Sequence, residues 1–172
     1  TILLRAIGFT SQEILEKFYE KETYLIGSNS YSLKVVPRRM VGKIAPSDIK
    51  GTQGVIIEAG KRITARHIRL IESSKIKTLG VPKESLFNQT IAEDIIDPST
   101  GEIAIACNTL IDEEVLLKLS ELKLKEINVL YINELESGPY ISDTLRSDTT
   151  SNSLEALAEI YRMMRPGELP TK

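Results

Sequence analysis

Cysteine, histidine and long apolar runs are all scarce in this sequence of 172 residues. The single Cys107 cannot form an internal disulfide, which suits a reducing cytoplasm. Charges interrupt every apolar run well before the roughly 18 residues that a membrane span needs, and no basic segment precedes an apolar stretch at the start. The sequence therefore predicts a soluble cytoplasmic protein and argues against membrane insertion and secretion.

Side chains that commonly carry catalysis are sparse as well. His67 is the only histidine and has no second histidine or cysteine at metal-ligand spacing, so we expect a residue on a helix surface. We expect Cys107 to be a buried, inert thiol, because a reactive thiolate needs a basic partner. Gly51 and Gly54 lack the Gly-Lys-Ser/Thr ending of a phosphate loop. No catalytic residue, nucleotide pocket or hydrolase site is predicted.

One acidic segment invites a cation-site interpretation. Asp94, Asp97 and Glu102 are carboxylates at short spacing, which can bind hard metal ions. Their spacing fits no calcium-loop pattern, and Pro98 with Gly101 predicts a hairpin turn. We favour the turn and expect no metal.

Length and composition allow one ordinary domain or two small ones. A hydrophobic content of 41% is enough for a real core. The chain begins with Thr1 rather than Met, from which we expect a piece of a longer protein.

Charge is distributed unevenly along the chain. Residues 1–86 contain 15 Lys and Arg against 8 Asp and Glu, whereas residues 87–172 contain 7 against 16, which together give the net charge of -2. The basic half is either a surface for nucleic acid or a partner, or one of two solvated faces that attract each other. No dense basic cluster with interleaved aromatic residues accompanies it, which favours the second interpretation.

Both ends of the chain predict helices. Thr10 and Glu13 form a capping-box pattern ahead of a helix over 11–20, and a shorter helix precedes it. A second capped helix ends at Pro166 near the C-terminus. Its apolar stripe consists of Leu154, Leu157, Ala158 and Tyr161. Between the ends, a hairpin is predicted from strands at 24–26 and 32–36 around residues 27–29.

The middle of the chain resembles itself after a shift of 48 residues. The matching positions run from Val55 against Ile103 to Val81 against Val129, with a small slip upstream. Each copy is predicted as strand, turn, strand, capped helix and strand, at about 43–84 (the first copy) and 90–132 (the second copy). Their helices are predicted over Ala65–Ser73 and Glu113–Glu121. We favour a true duplication over coincidence of apolar positions, and an α+β fold.

Two arginine groups are candidate binding sites. Arg62, Arg66 and Arg69 lie at the opening and along one face of the first-copy helix, where they form either a solvated face or a grip on a polymer or acidic partner. Arg162 and Arg165 lie near the end of the last helix, where cations stabilise its dipole. At that rigid corner they could also contact nucleic-acid phosphates or bases.

Two motifs carry a resemblance to a known family. The motif GPYISDTLR at 138–146 and the motif EIYRMMRPGELPT at 159–171 resemble the β subunit of bacterial DNA-directed RNA polymerase, where its lobe domain resumes after a lineage-specific insertion. Residues 1–21 resemble the lobe segment before the insertion, and RITARHI at 62–68 resembles a signature inside it. The resemblance implies lobe segments at 1–21 and 138–172, with paired flanking helices, around an insertion at 22–137. The internal repeat predicts that this insertion consists of two hairpin-helix-strand modules.

The function implied by this resemblance is non-catalytic. In this family, the lobe forms one jaw of the cleft that receives downstream DNA. The resemblance therefore makes Arg162 and Arg165 candidates for contact with that DNA. The insertion serves as a docking surface for transcription regulators, including secondary-channel factors of the DksA type. The expected partners are these regulators, the other polymerase subunits and DNA. The family's catalytic magnesium is held by another subunit, so no cofactor and no independent activity are expected here. A free-standing nucleic-acid-binding module using Arg62, Arg66 and Arg69 is the alternative.

Overall fold

A computed structural model describes residues 1–27, 30–51, 54–74, 76–122, 124–133 and 137–167, with the Lys50 side chain excepted. The fold is mixed α+β, as predicted. The helices are α1 (Ile2–Ala6), α2 (Ser11–Phe18), α3 (Pro37–Met40), α4 (Ala65–Ser73), α5 (Glu113–Glu121), α6 (Tyr140–Ser147) and α7 (Ser153–Met164). The strands are β1 (Lys21–Ile26), β2 (Tyr31–Lys34), β3 (Ile49–Gly51), β4 (Gly54–Ile57), β5 (Thr78–Val81), β6 (Ile95–Ile96), β7 (Ile103–Ile105) and β8 (Glu126–Leu130).

The chain divides into two compact units. The terminal unit contains Thr1–Lys21, Thr90–Thr109 and Val129–Lys172, and the central unit contains Glu22–Gln89 and Leu110–Asn128. The first change of unit coincides with the predicted start of the insertion. Residues 90–109 and 129–137, which the sequence assigns to the insertion, instead lie in the same unit as the flanks. The division into lobe segments and insertion stays a prediction.

Helices from both chain ends form much of the terminal unit. Helix α2 begins with the predicted capping box, in which Glu13 N–H donates to Thr10 Oγ1 at 3.2 Å and Thr10 N–H donates to Glu13 Oε2 at 2.8 Å. Helix α7 packs against α1, and Ser153 Oγ donates to the Ala6 carbonyl at 2.9 Å. The flanking helices therefore pair, as expected.

The predicted stripe of α7 is not a buried face. Leu154 is 79% exposed and Leu157 is also exposed, whereas the residue of α7 that is fully buried is Ala156. A small side chain faces inward there because α1 and α7 lie close together. The core of the terminal unit comes from other elements. Its buried members are Ile14, Leu15, Tyr19, Ala92, Leu130 and Leu145.

The central unit is built on antiparallel strands and a separate apolar core. Strand β2 pairs with β1 and β5, and the sheet has the order β5-β2-β1-β8. The β1–β2 hairpin confirms the strand prediction, although residues 28–29 of its predicted turn lie outside the described residues. The buried core consists of Met40, Ala45, Ile49, Ile57, Ile63, Ile68, Ile71 and Leu79.

The two copies of the predicted repeat have the same order of elements. Helix α5 follows α4 at an offset of 48 residues, with the bounds that the sequence predicts for both. Main-chain hydrogen bonds also coincide. Around the start of the first copy, Gly42 N–H donates to Ile63 O, Ile63 N–H to Lys43 O, Ala45 N–H to Lys61 O and Gly60 N–H to Ala45 O. Around the start of the second copy, Asn88 N–H donates to Ile111 O, Ile111 N–H to Gln89 O, Ile91 N–H to Thr109 O and Asn108 N–H to Ile91 O. Descent from one ancestral module stays a prediction.

A carboxylate closes the same loop in each copy. Asp48 Oδ1 accepts a hydrogen bond from Ala59 N–H at 2.8 Å, and Asp94 Oδ1 accepts one from Cys107 N–H at 2.7 Å. The left-handed backbone positions also correspond, because Gly60 has φ of 80° and Asn108 has φ of 65°. The similarity thus extends from the apolar pattern to individual hydrogen bonds.

Among the described residues, no helix has both the length and the apolar character needed to cross a membrane.

Candidate functional site

The arginines predicted as a binding group, Arg62, Arg66 and Arg69, form what we call the basic face. Arg62 pairs with Ile44 in an isolated β-bridge just before α4, and the other two lie on α4 itself. All three residues are exposed, while Ile68 and Ile71 are buried in the core. The helix therefore separates a basic outer side from an apolar inner side.

The basic face keeps its charge available. None of its three guanidinium groups forms an ion pair with the residues that the structure describes. Lysines of the same unit behave differently: Lys61 Nζ lies 2.7 Å from Glu58 Oε2, and Lys43 Nζ lies 3.4 Å from Glu22 Oε1. An external anion that binds these arginines would therefore not have to displace a carboxylate of the described side chains.

Charge distinguishes the two copies. The first copy has nine Lys and Arg against four Asp and Glu, and the second has three against nine. The net charges are therefore +5 and -6. At the positions equivalent to the basic face, the second copy has Leu110, Glu114 and Leu117. The basic face is thus a feature of the first copy alone and not of the shared backbone.

The other predicted arginine pair is engaged within its own helix. Arg162 Nη1 lies 3.1 Å from Glu159 Oε2, an exposed i,i+3 ion pair. The Arg165 guanidinium lies 5.7 Å from the centre of the Tyr161 ring. Such surface contacts contribute little and can be exchanged for an external partner. The remainder of this motif, residues 168–171, lies outside the described residues.

The GPYISDTLR motif builds a buried polar network that the sequence analysis missed. Ser142 Oγ donates to Asn108 Oδ1 at 2.6 Å, and Asn108 Nδ2 donates to the Ser142 carbonyl at 2.9 Å. Arg146 Nη2 donates to Ser142 Oγ at 2.9 Å, and Tyr19 Oη donates to the Gly138 carbonyl at 2.8 Å. These residues hold α6 in place, so the motif has a structural role in this unit.

A signal for this network was available in the repeat. Asn108 is aligned with Gly60 after the 48-residue shift, and a glycine counterpart indicates a left-handed backbone position. Asparagine tolerates that conformation and places an amide where it can bond across the loop. The helix after Pro139 was not predicted, because it is only eight residues long and has no side-chain cap at its start.

A second buried group joins α1 to the segment after α6. The Arg5 and Asp148 side chains are 9% and 1% exposed, and Arg5 Nε lies 3.8 Å from Asp148 Oδ2. Neither of these two atoms has a hydrogen-bond partner among the described residues. Arg5 Nη2 also donates to Ser11 Oγ at 2.9 Å. Burial alone would raise the pKa of Asp148, but hydrogen bonds from Thr150 and Thr1 and the charge of Arg5 together outweigh burial and lower that pKa.

His67 contributes to the start of α4. Its Nδ1 accepts a hydrogen bond from Thr64 N–H at 3.3 Å, in the position that glutamate occupies in the α2 capping box. The ring is partly buried. The sequence predicted a helix-surface residue, and the hydrogen bond gives this histidine a capping role.

The acidic segment uses its carboxylates on the backbone. Asp97 Oδ1 accepts hydrogen bonds from Ser99 N–H at 2.8 Å and Ser99 Oγ at 2.6 Å, and these bonds lower the pKa of Asp97. Asp94 bonds to Cys107 N–H. Within the described ranges, no three His, Cys, Asp or Glu side chains are grouped so that they could hold a metal ion.

Cys107 is half-buried beside the core of the terminal unit. Burial, followed by the nearby Asp94 carboxylate, raises the pKa of its thiol to about 12. Since the thiolate is the reactive form, this environment suppresses nucleophilic chemistry.

Alkylation of Cys107 by iodoacetamide at pH 8 should therefore be on the order of 10³ slower in the folded chain than in urea, where the thiol has an ordinary pKa. Asp94→Asn keeps the oxygen that accepts from Cys107 N–H but removes the negative charge, so it should accelerate the reaction. Asp97→Asn is the matched control and should leave the rate unchanged. Equal rates in folded and unfolded chains, measured by mass spectrometry, would contradict this account.

Comparison with known protein families gives no assignment, because no family model matches the chain.

Proposed function

We propose that this chain is a non-catalytic part of the β subunit of a bacterial RNA polymerase and that its central unit binds transcription regulators. The proposal begins from the motifs at 138–146 and 159–171, which resemble that subunit. In it, synthesis of RNA takes place elsewhere in the assembled enzyme, on magnesium held by another subunit. The fragment alone has no activity and works in the cytoplasm as a binding and positioning element.

The observation that carries the proposal is the meeting of the chain ends. Residues 1–21 and 129–172 belong to one compact unit, in which α1 packs against α7 and α2 packs against α6. A host domain interrupted by an insertion requires its two severed segments to rejoin in this way. The two regions with the strongest resemblance to the polymerase lobe are the regions that rejoin.

Exposed apolar residues on the terminal unit fit a surface covered by neighbouring parts of a larger subunit. Leu3 in α1 is 68% exposed, and Met164 in α7 is 78% exposed. Leu157 is exposed as well, whereas Leu4 is half-buried against the core. Where such residues form one contiguous apolar patch, the patch commonly marks an interaction surface.

The docking surface is best assigned to the central unit rather than to all of residues 22–137. Ala92 and Leu130 are buried against Ile14 and Leu15 in the terminal core, so these parts of the predicted insertion stabilise the flanks. A deletion of 22–137 would open that core. Point variants on the central unit are therefore the sharper test of regulator binding.

Subunit membership can be tested directly. The parent reading frame should be several times longer than this chain, and antibodies against the central unit should precipitate the other large polymerase subunits and DNA-bound enzyme. A reading frame that begins and ends near this chain would overturn the assignment.

Regulator docking is tested in the assembled polymerase with a photo-crosslinking amino acid at exposed positions of the central unit. We expect crosslinks to a transcription regulator of the DksA type from position 66 or 69. A crosslinker at position 154, exposed on the terminal unit, serves as the control and should label polymerase subunits instead. Regulator crosslinks that arise only from position 154 would refute docking on the central unit.

One observation favours a second candidate function. The basic face makes no ion pair with described residues, as expected of a module that binds nucleic acid by itself. That candidate requires the isolated chain to bind DNA or RNA at low salt, with a salt dependence that weakens when Arg62, Arg66 and Arg69 are replaced. An isolated chain without measurable affinity at low salt would eliminate it.

A further inference from the structure

We propose that the outer edge of β5 binds an extended segment of another protein, which adds to the sheet as a further strand. The segment places an apolar side chain in the pocket beside β5 and has acidic side chains at its two ends. The inference goes beyond the docking role proposed above, because it concerns a different surface of the central unit and needs no polymerase.

Strand β5 is an edge strand of the sheet and pairs with β2 alone. Val35 N–H donates to the Lys77 carbonyl at 2.9 Å, and the main-chain groups of successive residues in an antiparallel strand face alternate sides. Leu79 therefore bonds to β2, whereas Thr78 and Gly80 direct their N–H and C=O groups to the outer side. Both of these outward-facing residues are exposed.

Most hydrogen-bonding groups on the outer side of β5 are unpaired. The Gly80 carbonyl accepts a hydrogen bond from Ser47 Oγ. The Gly80 N–H and both main-chain groups of Thr78 have no hydrogen-bond partner among the described residues. An added strand can therefore accept a hydrogen bond from Gly80 N–H and donate one to the Thr78 carbonyl.

Gly80 occupies a strand position at which the fold itself does not require glycine. The β2–β5 register runs without a shift, the residue does not have a positive φ, and an added Cβ atom would meet nothing within 4 Å. A glycine inside a strand commonly marks a bulge, a bend or a place where another backbone approaches closely. Because the strand has neither a bulge nor a crowding neighbour here, this glycine favours the approach of an external backbone.

A pocket of about 770 Å³ lies between the end of β5 and α5, and Gly80 is part of its lining. Its apolar walls consist of Tyr31, Pro46, Val81, Pro82, Leu116 and Leu117. Leu117 is 64% exposed, so much of its apolar surface is available for contact. A side chain of the added strand opposite Gly80 lies next to this residue and can enter the pocket that it lines.

Charge determines the chemistry of the incoming segment. Lys77 precedes β5 and Lys83 follows it, and neither forms an ion pair with the residues that the structure describes. Lys83 is the one charged residue in the described lining of the pocket. Its ammonium group lies 5.8 Å from the centre of the Phe87 ring, a contact that leaves its charge uncompensated. Carboxylates at the two ends of a bound segment can pair with these lysines.

A second copy of this chain is a poor occupant of the same edge. Two β5 strands paired antiparallel about a two-fold axis near Gly80 would bring the Lys77 side chains close to the Lys83 side chains of the opposite copy. Like charges at neighbouring positions destabilise strand pairing, and lysines at sheet edges commonly prevent such self-association. The edge therefore fits a segment of a different protein with acidic ends.

The test uses the full chain and a fluorescein-labelled peptide of about ten residues, with a central leucine among threonines and valines and a glutamate at each end. Fluorescence anisotropy at low salt should give saturable binding. Two further peptides are N-methylated at alternate residues, one at the odd and the other at the even positions. Because each methylation pattern removes the donors on one side of the strand, one peptide should bind about tenfold more weakly and the other should bind as before.

Gly80→Val tests the open position in β5. It should weaken peptide binding about tenfold because its side chain fills the space next to the pocket, while a β-branched residue suits a strand. Thr78→Val is the matched control, since it introduces valine on the same face of the same strand in place of a side chain of equal size. It should change the affinity by less than about twofold.

Lys83→Glu tests the charge at the pocket and cannot disturb the core, because Lys83 is exposed. It should weaken binding of the acidic peptide about tenfold. Lys125→Glu makes the same charge change at an exposed position that does not line the pocket, and it should change the affinity by less than about twofold.

Amide hydrogen exchange followed by NMR locates the contact within β5. Saturating peptide should slow exchange of the Gly80 amide about tenfold or more, because that N–H gains an acceptor. Exchange at Leu79 should change little, since its N–H already bonds to β2.

Three results would contradict the inference: equal affinity of the two N-methylated peptides, unchanged exchange at Gly80 with saturating peptide, or sedimentation showing self-association through β5 that the peptide does not reverse. If circular dichroism shows that Gly80→Val does not fold, Lys83→Glu and the methylated peptides decide the question. Failure of this assay leaves the polymerase assignment intact, because no polymerase is used. Precipitation without polymerase subunits would reject that assignment and leave the strand-binding edge intact.

Discussion

Replacement of Asp148 with alanine should lower the free energy of unfolding by about 3 kcal/mol. The variant removes a carboxylate whose side chain is 1% exposed and leaves the Arg5 guanidinium buried without a counter-ion. It also removes the acceptor of hydrogen bonds from Thr150 N–H at 3.0 Å and Thr150 Oγ1 at 2.6 Å. Urea denaturation followed by far-ultraviolet circular dichroism measures the loss.

Asp143→Ala is the matched control for this variant. Asp143 also pairs with an arginine, at 3.3 Å from Arg146 Nη1, but its side chain is 56% exposed. Its loss should cost about 0.5 kcal/mol or less, because water replaces an exposed partner. Equal costs for the two aspartates would show that burial does not set the strength of the Arg5–Asp148 pair.

The same aspartate gives the stability a defined pH dependence. Since the pKa of Asp148 is lowered in the folded chain, its contribution is fully present above the unfolded value of about 3.9. The contribution disappears as the pH falls through the lower folded pKa, when the buried carboxylate becomes protonated. In Asp148→Ala this part of the acid dependence should be missing.

Replacement of Asn108 with alanine should lower the free energy of unfolding by about 3 kcal/mol. About 2 kcal/mol comes from the buried Ser142 hydroxyl, which loses its acceptor, and from the Ser142 carbonyl, which loses the Asn108 donor. About 1 kcal/mol comes from a Cβ-bearing residue without a local hydrogen bond at positive φ. Asn108→Gly should therefore cost about 2 kcal/mol, because it keeps the backbone relaxed. Denaturation of both variants separates the two causes.

The equivalent position of the first copy supplies the control. Gly60 has φ of 80°, and a Cβ atom added there meets nothing within 4 Å. Gly60→Ala should cost about 1 kcal/mol and Gly60→Asn less than that, since no network depends on this residue. A loss at Gly60→Ala as large as that at Asn108→Ala would assign the whole effect to the backbone.

Local signals in the sequence were sufficient for much of the fold. Thr10 with Glu13 predicted the start of α2, and the repeat placed α4 and α5 at their observed bounds. These signals depend on neighbouring residues and on apolar periodicity, which a single sequence contains. The same reasoning could not predict which residues share a core, because the pairing of 90–109 with the chain ends joins segments far apart in sequence.

The candidate site was predictable only in part. Arg62, Arg66 and Arg69 were identified from helical spacing, and the structure places all three on the exposed side. Ser142 was missed because its partners Asn108 and Tyr19 come from distant parts of the chain.

The matched hydrogen bonds of the two copies leave the side chains on their helix surfaces largely unconstrained. They connect main-chain atoms, apart from one aspartate in each copy, and so place few demands on most side chains. The charge on the outer side of α4 or α5 can therefore vary without loss of these main-chain hydrogen bonds. The first copy is cationic and the second is anionic, although their main-chain hydrogen bonds correspond, so one backbone arrangement displays two chemically opposite surfaces within the same chain.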